Sequence, residues 1–176
     1  MRTVTVILSA GIFASLFFLC AFKSNNSKGP REGDVAPEIR LPNPNGDTLK
    51  LSSLQGHMVL VHFWASWCRP CRAESKKIVQ VYQQYKDKEY KTGNGLIVLY
   101  VSLDENKTEW VKAIKEDGIS MDYNVSDLKR WASLAAQSYK VQFVPNNFLI
   151  DGNGKIIAEG QITNFLADFL KDEVQK

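Results

Sequence analysis

Two cysteines stand directly after an almost wholly apolar run of the chain. Residues 58–64 are typical of a strand that is buried on both faces of a sheet. Cys68 and Cys71 follow with two residues between them, and Pro70 suits the first turn of a helix. Apolar periodicity predicts that this helix continues to about Tyr90. The two thiols are therefore expected where a buried strand becomes a helix, which favours a redox-active pair.

Each sulfur has a predicted role in thiol–disulfide exchange. Cys68 lies at the helix start, where exposed backbone amides and the neighbouring cation Arg69 favour the thiolate, which is the attacking species. Arg69 and Pro70 are therefore predicted to tune the pKa of the Cys68 thiol. Cys71 lies one helical turn deeper and is predicted to resolve the mixed disulfide that Cys68 forms with a partner. An inert structural disulfide is the alternative.

The C-x-x-C spacing also supplies half of many zinc sites, which need two further ligands. The chain has no second C-x-x-C pair, and its remaining cysteine and histidines are Cys20, His57 and His62. These observations disfavour zinc. We predict no metal and no other cofactor.

Glu74 and His62 are the two acid–base candidates. Glu74 follows Cys71 by three positions, so on a helix its carboxylate lies over the same face and can take the proton of the resolving thiol. A glutamate on a solvated helix face is the alternative. His62, a lone histidine in an apolar strand, is predicted to be a hydrogen-bonded core residue, with a proton relay as the alternative.

Size and composition indicate one domain without a nucleic-acid partner. The chain has 176 residues, 44% of them apolar, which is enough to build one core. The formal net charge is +3, and basic residues are scattered among acids, as in residues 86–89. Such mixtures are typical of solvated helix faces, so no nucleic acid is expected. Residues 33–176 are predicted to form the domain.

Strand and helix patterns alternate along this domain. An Asn-Gly pair predicts a hairpin, and the buried runs are separated by stretches of helical periodicity. The pattern predicts an α/β fold with a central mixed β-sheet flanked by helices. The predicted strands are residues 39–41, 48–51, 58–64, 96–101, 147–150 and 156–158, and the later helices are residues 109–117, 127–139, with Asp127 as a cap, and 164–171.

Two motifs resemble the thioredoxin superfamily. The first is residues 63–71, Phe-Trp-Ala-Ser-Trp-Cys-Arg-Pro-Cys, and the second is Val144-Pro145 followed by residues 147–151. The resemblance implies that Pro145 is a cis-proline facing the disulfide and that Val144 offers its backbone polar groups to a substrate segment, with a trans turn proline as the alternative. Trp67 is expected to form an apolar rim beside the first cysteine.

Within the superfamily, the chain is most similar to the membrane-tethered disulfide reductases of bacterial envelopes, the group that includes TlpA, ResA and the cytochrome c maturation thioredoxins. Residues 33–38, the hairpin, the extra stretch between Asp104 and Tyr139, and the acid Glu74 carry this similarity. It implies a thioredoxin-like fold with an N-terminal β-hairpin extension and a helical insertion. His62 departs from ordinary thioredoxins, which carry a buried aspartate at this position.

The resemblance implies a thiol-disulfide oxidoreductase that reduces protein disulfides, on apocytochromes or misoxidised proteins, with electrons from a membrane donor. The direction depends on the reduction potential, which a motif does not give. A thiol peroxidase of the same fold is an alternative, although its usual Thr-x-x-Cys context is missing because Ser66 and Trp67 precede Cys68. A non-catalytic peptide-binding module is another alternative, which the presence of both cysteines disfavours.

The N-terminus carries a membrane signal. Residues 4–22 are 19 residues without formal charge, and as a helix they would span roughly 28 Å, close to the roughly 30 Å hydrocarbon core of a bilayer. Residues 1–22 are therefore predicted to be a membrane anchor or signal segment, with an uncleaved anchor favoured. A lipoprotein attached through Cys20 and an ordinary cleaved signal peptide are the alternatives, and both have a poor site because Leu19 is not small.

The segment after the apolar run is predicted to be a flexible linker over residues 23–32, since it is polar and contains Gly and Pro. Three cations follow the apolar run, whereas Arg2 and the terminal amine precede it, which disfavours an exported domain under the positive-inside rule. The family resemblance favours export, so we expect the domain to be tethered to a bacterial membrane and to face the periplasm or the outside.

Overall fold

The structure is a computed structural model, and it describes residues 28–175. No helix within that range is both long enough and apolar enough to cross a membrane. The predicted anchor or signal segment, including Cys20, lies outside the described residues, as does the first half of the predicted linker.

A five-stranded mixed sheet forms the centre of the domain. The strands of the described part are β1 (Arg40–Pro42), β2 (Thr48–Lys50), β3 (Met58–Trp64), β4 (Glu89–Tyr90), β5 (Gly93–Asn94), β6 (Leu96–Ser102), β7 (Asn124–Val125), β8 (Asn146–Ile150) and β9 (Ile156–Gly160). The order in the central sheet is β7-β6-β3-β8-β9. The central strand β3 is parallel to β6 and antiparallel to β8. Every residue of β3 and β6 is buried, which explains their nearly continuous apolar sequences.

Helices cover the sheet, and the β1–β2 hairpin precedes it. The first helix packs against β6 and contacts the second and fourth helices. This is the thioredoxin-like α/β fold predicted from the sequence, with the N-terminal hairpin and the inserted helices in place. The helices are α1 (Arg69–Tyr85), α2 (Lys107–Asp117), α3 (Leu134–Ser138) and α4 (Leu166–Glu173).

The first helix ends earlier than its apolar pattern predicts. It stops at Tyr85, and Tyr90 belongs to β4, which pairs with β5 in a small hairpin. Tyr90 is nevertheless buried, and its hydroxyl donates a hydrogen bond to the carbonyl oxygen of Tyr85 at 2.8 Å. Apolar spacing extended the helix to this residue and did not show that a strand places it in the core.

The predicted helix over residues 127–139 is wrong as a continuous element. A 3-10 turn at Arg130–Ala132 and the short α3 replace it, because Leu128 and Arg130 adopt left-handed φ angles of 56° and 51° that no α-helix accommodates. Asp127 is not the predicted N-cap, because α3 begins later and its N-cap is Ser133. The Asp127 carboxylate nevertheless accepts hydrogen bonds from the amides of Lys129 and Leu134, the latter being the first residue of α3. The last predicted helix also starts with a 3-10 turn, Ile162–Phe165, before α4.

An ion pair fastens the start of α1 to the end of α2. Arg72 donates through Nε and Nη2 to both carboxylate oxygens of Asp117, at 2.8 and 2.9 Å, and through Nη2 to Glu116 at 2.8 Å. The Asp117 side chain is 1% exposed, whereas that of Glu116 is 47% exposed. The buried, bidentate ion pair with Asp117 holds α1, which carries the cysteine pair at its start, against α2.

Replacing Arg72 with Met should lower the free energy of unfolding by about 2 kcal/mol, because it leaves the buried Asp117 carboxylate without its cation. Glu116→Gln removes the exposed half of the same cluster and should change the free energy by less than about 0.5 kcal/mol. Urea unfolding of the three proteins measures both effects. Equal stability of Arg72→Met and the parent protein would contradict the stabilising role of the Arg72–Asp117 ion pair.

Candidate active site

Cys68 and Cys71 form a disulfide where β3 leads into α1, with 5.2 Å between their Cα atoms. Cys68 is the N-cap of α1, and its Sγ accepts a hydrogen bond from the backbone N–H of Cys71 at 3.2 Å. Arg69 and Pro70 are exposed in the first turn. After reduction, the same amide and the positive end of the helix dipole would stabilise a thiolate on Cys68.

The two sulfur-bearing residues differ in their surroundings. Cys68 is 6% exposed and borders the surface, whereas Cys71 is fully buried beneath it. The Val144–Pro145 peptide bond is cis, and the carbonyl oxygen of Val144 lies 3.8 Å from Cys68 Sγ. Pro145 is buried and Val144 half-buried. The loop before β8 therefore brings a backbone acceptor beside the outer sulfur.

An exposed aromatic rim stands next to Cys68. Trp67 is 49% exposed, and its ring centroid lies 6.4 Å from that of Trp131. The guanidinium carbon of Arg130 lies 5.5 Å from the Trp67 ring centroid, within the range of a cation–π interaction. Sequence reasoning missed Arg130 and Trp131, because the segment was predicted to be helical and its left-handed turn was not recognised.

A cleft of about 450 Å³ adjoins Trp67 and is bounded by the start of α2. At its base, the buried carboxylate of Asp104 accepts hydrogen bonds from the amide of Ser66 at 3.0 Å and from the hydroxyls of Ser66 and Ser102 at 2.5 and 2.7 Å. Asp104 thus fixes the turn that precedes the cysteines. In the sequence, Asp104 comes just after the apolar run of β6, and this position is the signal that could have marked it as a site residue.

Glu74 is half-buried on α1 and belongs to a hydrogen-bonded network. Its Oε1 accepts a hydrogen bond from Asn147 Nδ2 at 2.8 Å and another from the Thr163 hydroxyl. The alternative of a wholly solvated glutamate is therefore excluded. Asn147 and Thr163 were not singled out from the sequence, because neither residue type carries acid–base chemistry that would mark it.

His62 is a buried, hydrogen-bonded core residue, as predicted. Its Nδ1 lies 2.7 Å from Asn147 Oδ1, and its Nε2 lies 3.4 Å from the hydroxyl oxygen of Ser75. Burial lowers the pKa of His62 below its ordinary value of 6.5, against the opposing effects of the Asn147 hydrogen bond and the Glu74 charge. The imidazole is therefore neutral near pH 7.

Among residues 28–175, no group of three or more His, Cys, Asp or Glu side chains is arranged to hold a metal ion.

The profile of the AhpC/TSA family matches residues 33–159. The chain belongs to the AhpC/TSA family. It is 31% identical over 168 residues to the thiol-disulfide oxidoreductase ResA of Oceanobacillus iheyensis, covering 92% of this chain and 82% of that protein. It is 30% identical over 126 residues to the ResA protein of Bacillus subtilis, covering 72% of this chain and 65% of that protein.

Solved structures of thiol-disulfide oxidoreductases share the fold of this chain. The thioredoxin domain of a thiol-disulfide oxidoreductase from Bacteroides vulgatus superposes with a TM-score of 0.72 at 30% identity, covering 82% of this chain and 98% of that one. A thiol-disulfide oxidoreductase from Bacteroides fragilis gives 0.69 at 32% identity, with 79% and 98% covered. This AhpC/TSA family member is thus a ResA-like thiol-disulfide oxidoreductase of the thioredoxin superfamily.

The buried His62 should make stability depend on pH. Since its pKa is lowered in the folded state, unfolding below pH 6.5 takes up a proton, and the free energy of unfolding falls as the pH falls. The contribution of one such group reaches about 1.4 kcal/mol per pH unit. In urea unfolding, His62→Gln should flatten the dependence of the free energy of unfolding on pH over this range. The same substitution at the exposed His57 should leave that dependence unchanged. An unchanged slope in His62→Gln would contradict the expectation.

Proposed function

We propose that this protein reduces disulfides of other proteins in the bacterial cell envelope through a Cys68–Cys71 dithiol. The observation that carries the proposal is the environment of Cys68. Its sulfur reaches the surface between a backbone acceptor on Val144 and the aromatic rim of Trp67. An extended peptide segment can pair with the Val144 backbone while its own cysteine approaches Cys68. This arrangement suits a protein substrate.

The proposed reaction transfers two electrons in two exchange steps. The Cys68 thiolate attacks one sulfur of a substrate disulfide, which forms a mixed disulfide and releases the other substrate sulfur as a thiolate. Glu74 then takes the proton of Cys71, and the Cys71 thiolate attacks Cys68 Sγ. The second substrate sulfur leaves as a thiolate, and the Cys68–Cys71 disulfide forms. A membrane-bound dithiol donor would return the two electrons.

Glu74 supports the reducing direction through resemblance only, because the disulfide reductases that the chain resembles carry an acid at this position. The carboxylate itself can take or return the proton of Cys71, so the direction is decided by the reduction potential. The relatives named ResA add support through their similarity. A peroxidase would instead reduce a small peroxide and would need no aromatic rim for a peptide. The rim therefore favours the protein-disulfide substrate, for which the resemblance suggests apocytochromes or misoxidised envelope proteins.

The direction is tested by the reduction potential of the Cys68–Cys71 pair, measured in graded glutathione or dithiothreitol buffers on the full chain carrying Cys20→Ser. We expect a value near or below roughly −270 mV, as for thioredoxin, whereas a value near roughly −120 mV would indicate an oxidant and overturn the proposal. Cys68→Ser should abolish reduction of a disulfide-bonded protein. Faster consumption of hydrogen peroxide than of protein disulfide would favour the peroxidase.

The proposed location rests on the N-terminal segment. Residues 4–22 are long and apolar enough for an anchor, and residues 23–32 would let the redox face reach a membrane donor and its clients. We propose an uncleaved anchor with the domain outside the cytoplasm, and a lipoprotein modified at Cys20 is the second candidate.

Alkaline phosphatase fused after Glu32 tests this topology, because that enzyme is active only after export. We expect an active fusion that stays in the membrane fraction, and that still stays there in the Cys20→Ser variant. Loss from the membrane in Cys20→Ser would identify a lipoprotein, and an active fusion in the soluble fraction would identify cleavage. An inactive fusion would overturn the outward orientation.

A further inference from the structure

Asn147 joins the half-buried acid of the active site to a buried histidine. The register of the sheet places Asn147 on β8 directly opposite His62 on β3. Its side chain is fully buried, with Oδ1 2.7 Å from His62 Nδ1 and Nδ2 2.8 Å from Glu74 Oε1. A single amide thus contacts both acid–base candidates, Glu74 and His62.

The orientation of this amide is fixed by its neighbours. Nδ2 also donates to the carbonyl oxygen of Gly160 at 3.1 Å and lies 3.4 Å from the Thr163 hydroxyl oxygen. A backbone carbonyl only accepts hydrogen bonds, so Nδ2 must face Gly160 whatever the protonation state of Glu74. The acceptor Oδ1 must therefore face His62.

This orientation determines which nitrogen of His62 carries the proton. Because Oδ1 only accepts, Nδ1 of His62 must be the donor. In the neutral imidazole, Nε2 is then the acceptor, and the hydroxyl of Ser75 is its donor at 3.4 Å. Hydrogen bonds consequently run in one direction, from Ser75 through His62 and Asn147 to Glu74.

The two donors on Glu74 hold a single oxygen. Asn147 Nδ2 and the Thr163 hydroxyl both bind Oε1, which fixes the carboxylate and leaves Oε2 for another partner. Glu74 lies three positions after Cys71 on α1, on the same helix face. Because neither donor occupies Oε2, this oxygen is the one proposed to receive the Cys71 proton.

We propose that Asn147 is a positioning residue for the resolving step, which holds Glu74 for proton transfer from Cys71 and fixes His62 in its Nδ1–H form. The inference rests on the proposed exchange reaction. In the step concerned, the proton moves from Cys71 Sγ to Glu74, the Cys71 thiolate forms a bond to Cys68 Sγ, and the substrate sulfur leaves with the electrons of the broken disulfide bond. Asn147 itself gains and loses no proton.

The two exchange steps can be timed separately with 5,5′-dithiobis(2-nitrobenzoate). Attack by Cys68 releases one coloured thiolate, and attack by Cys71 on the resulting mixed disulfide releases a second. The experiment uses the reduced full chain in detergent with Cys20→Ser, so that Cys68 and Cys71 supply the thiols. Stopped-flow absorbance then gives one rate for each cysteine.

Asn147→Leu and Asn147→Asp should slow the second release by about tenfold, because the acid loses its fixed geometry, and should leave the first release within about twofold. Asn147→Asp keeps the size of the side chain, so the same measurement can be made on this variant if Asn147→Leu does not fold. Asn164→Leu makes the same exchange at an exposed residue that contacts Lys77, and should change neither rate. Combined with Glu74→Gln, Asn147→Asp should add no further slowing.

A spectroscopic readout tests the histidine separately. Ring nitrogen shifts in ¹⁵N NMR should show neutral His62 protonated at Nδ1 in the parent chain, and should lose that signature in Asn147→Leu. An Nε2–H form in the parent chain would overturn the orientation argument.

Equal slowing of both releases by the Asn147 variants would indicate a purely structural role and overturn the inference. Additive slowing in the double variant, or no slowing at all, would do the same. If Glu74→Gln leaves the second release unchanged, the inference falls together with the proton-acceptor role of Glu74. Reduction of protein disulfides would then stand or fall on the measured potential alone, so the two failures are distinguishable.

Discussion

The hydrogen bond from the Cys71 amide to Cys68 Sγ joins the fold of this protein to its chemistry. It exists because Cys68 is the N-cap of α1, after the short turn that follows β3, and a helix start has free amides at that point. The strand is buried on both faces and cannot shift without exposing apolar residues. The sheet therefore holds the cysteine pair in place, and the helix provides the electrostatic environment.

Two carboxylates support this junction from different sides. Asp104 ties the turn at Ser66 to the end of β6 and shapes the approach to Cys68. Glu74 lies on the Cys71 side, bound to Asn147 and Thr163. In the proposed reaction, Val144 and Trp67 receive the protein substrate beside the outer sulfur, and Glu74 takes the proton of the inner sulfur. The ion pair between Arg72 and Asp117 holds α1, the helix at whose start both cysteines lie, against α2.

Local sequence patterns predict the structure correctly where one signal dominates. The bounds of β3 follow from its apolar run, and the start of α1 follows from Pro70. The same reasoning failed where the backbone changed conformation without a glycine or proline to mark it. The left-handed Arg130 interrupts the predicted helix, and the residue carries an ordinary side chain that gives no sign of that φ angle.

The sequence by itself determined which residues can carry the chemistry, since the spacing of Cys68 and Cys71 allows a small disulfide ring and the spacing of Cys71 and Glu74 places them on one helix face. Only the tertiary structure decided the environment of these groups. His62 and Asn147 meet because two strands 85 residues apart pair in one register. Helical and strand periodicity report which residues point inward from one element, whereas contacts between distant elements depend on how the whole core packs. Hydrogen-bonded networks of this kind therefore appear only in the folded protein.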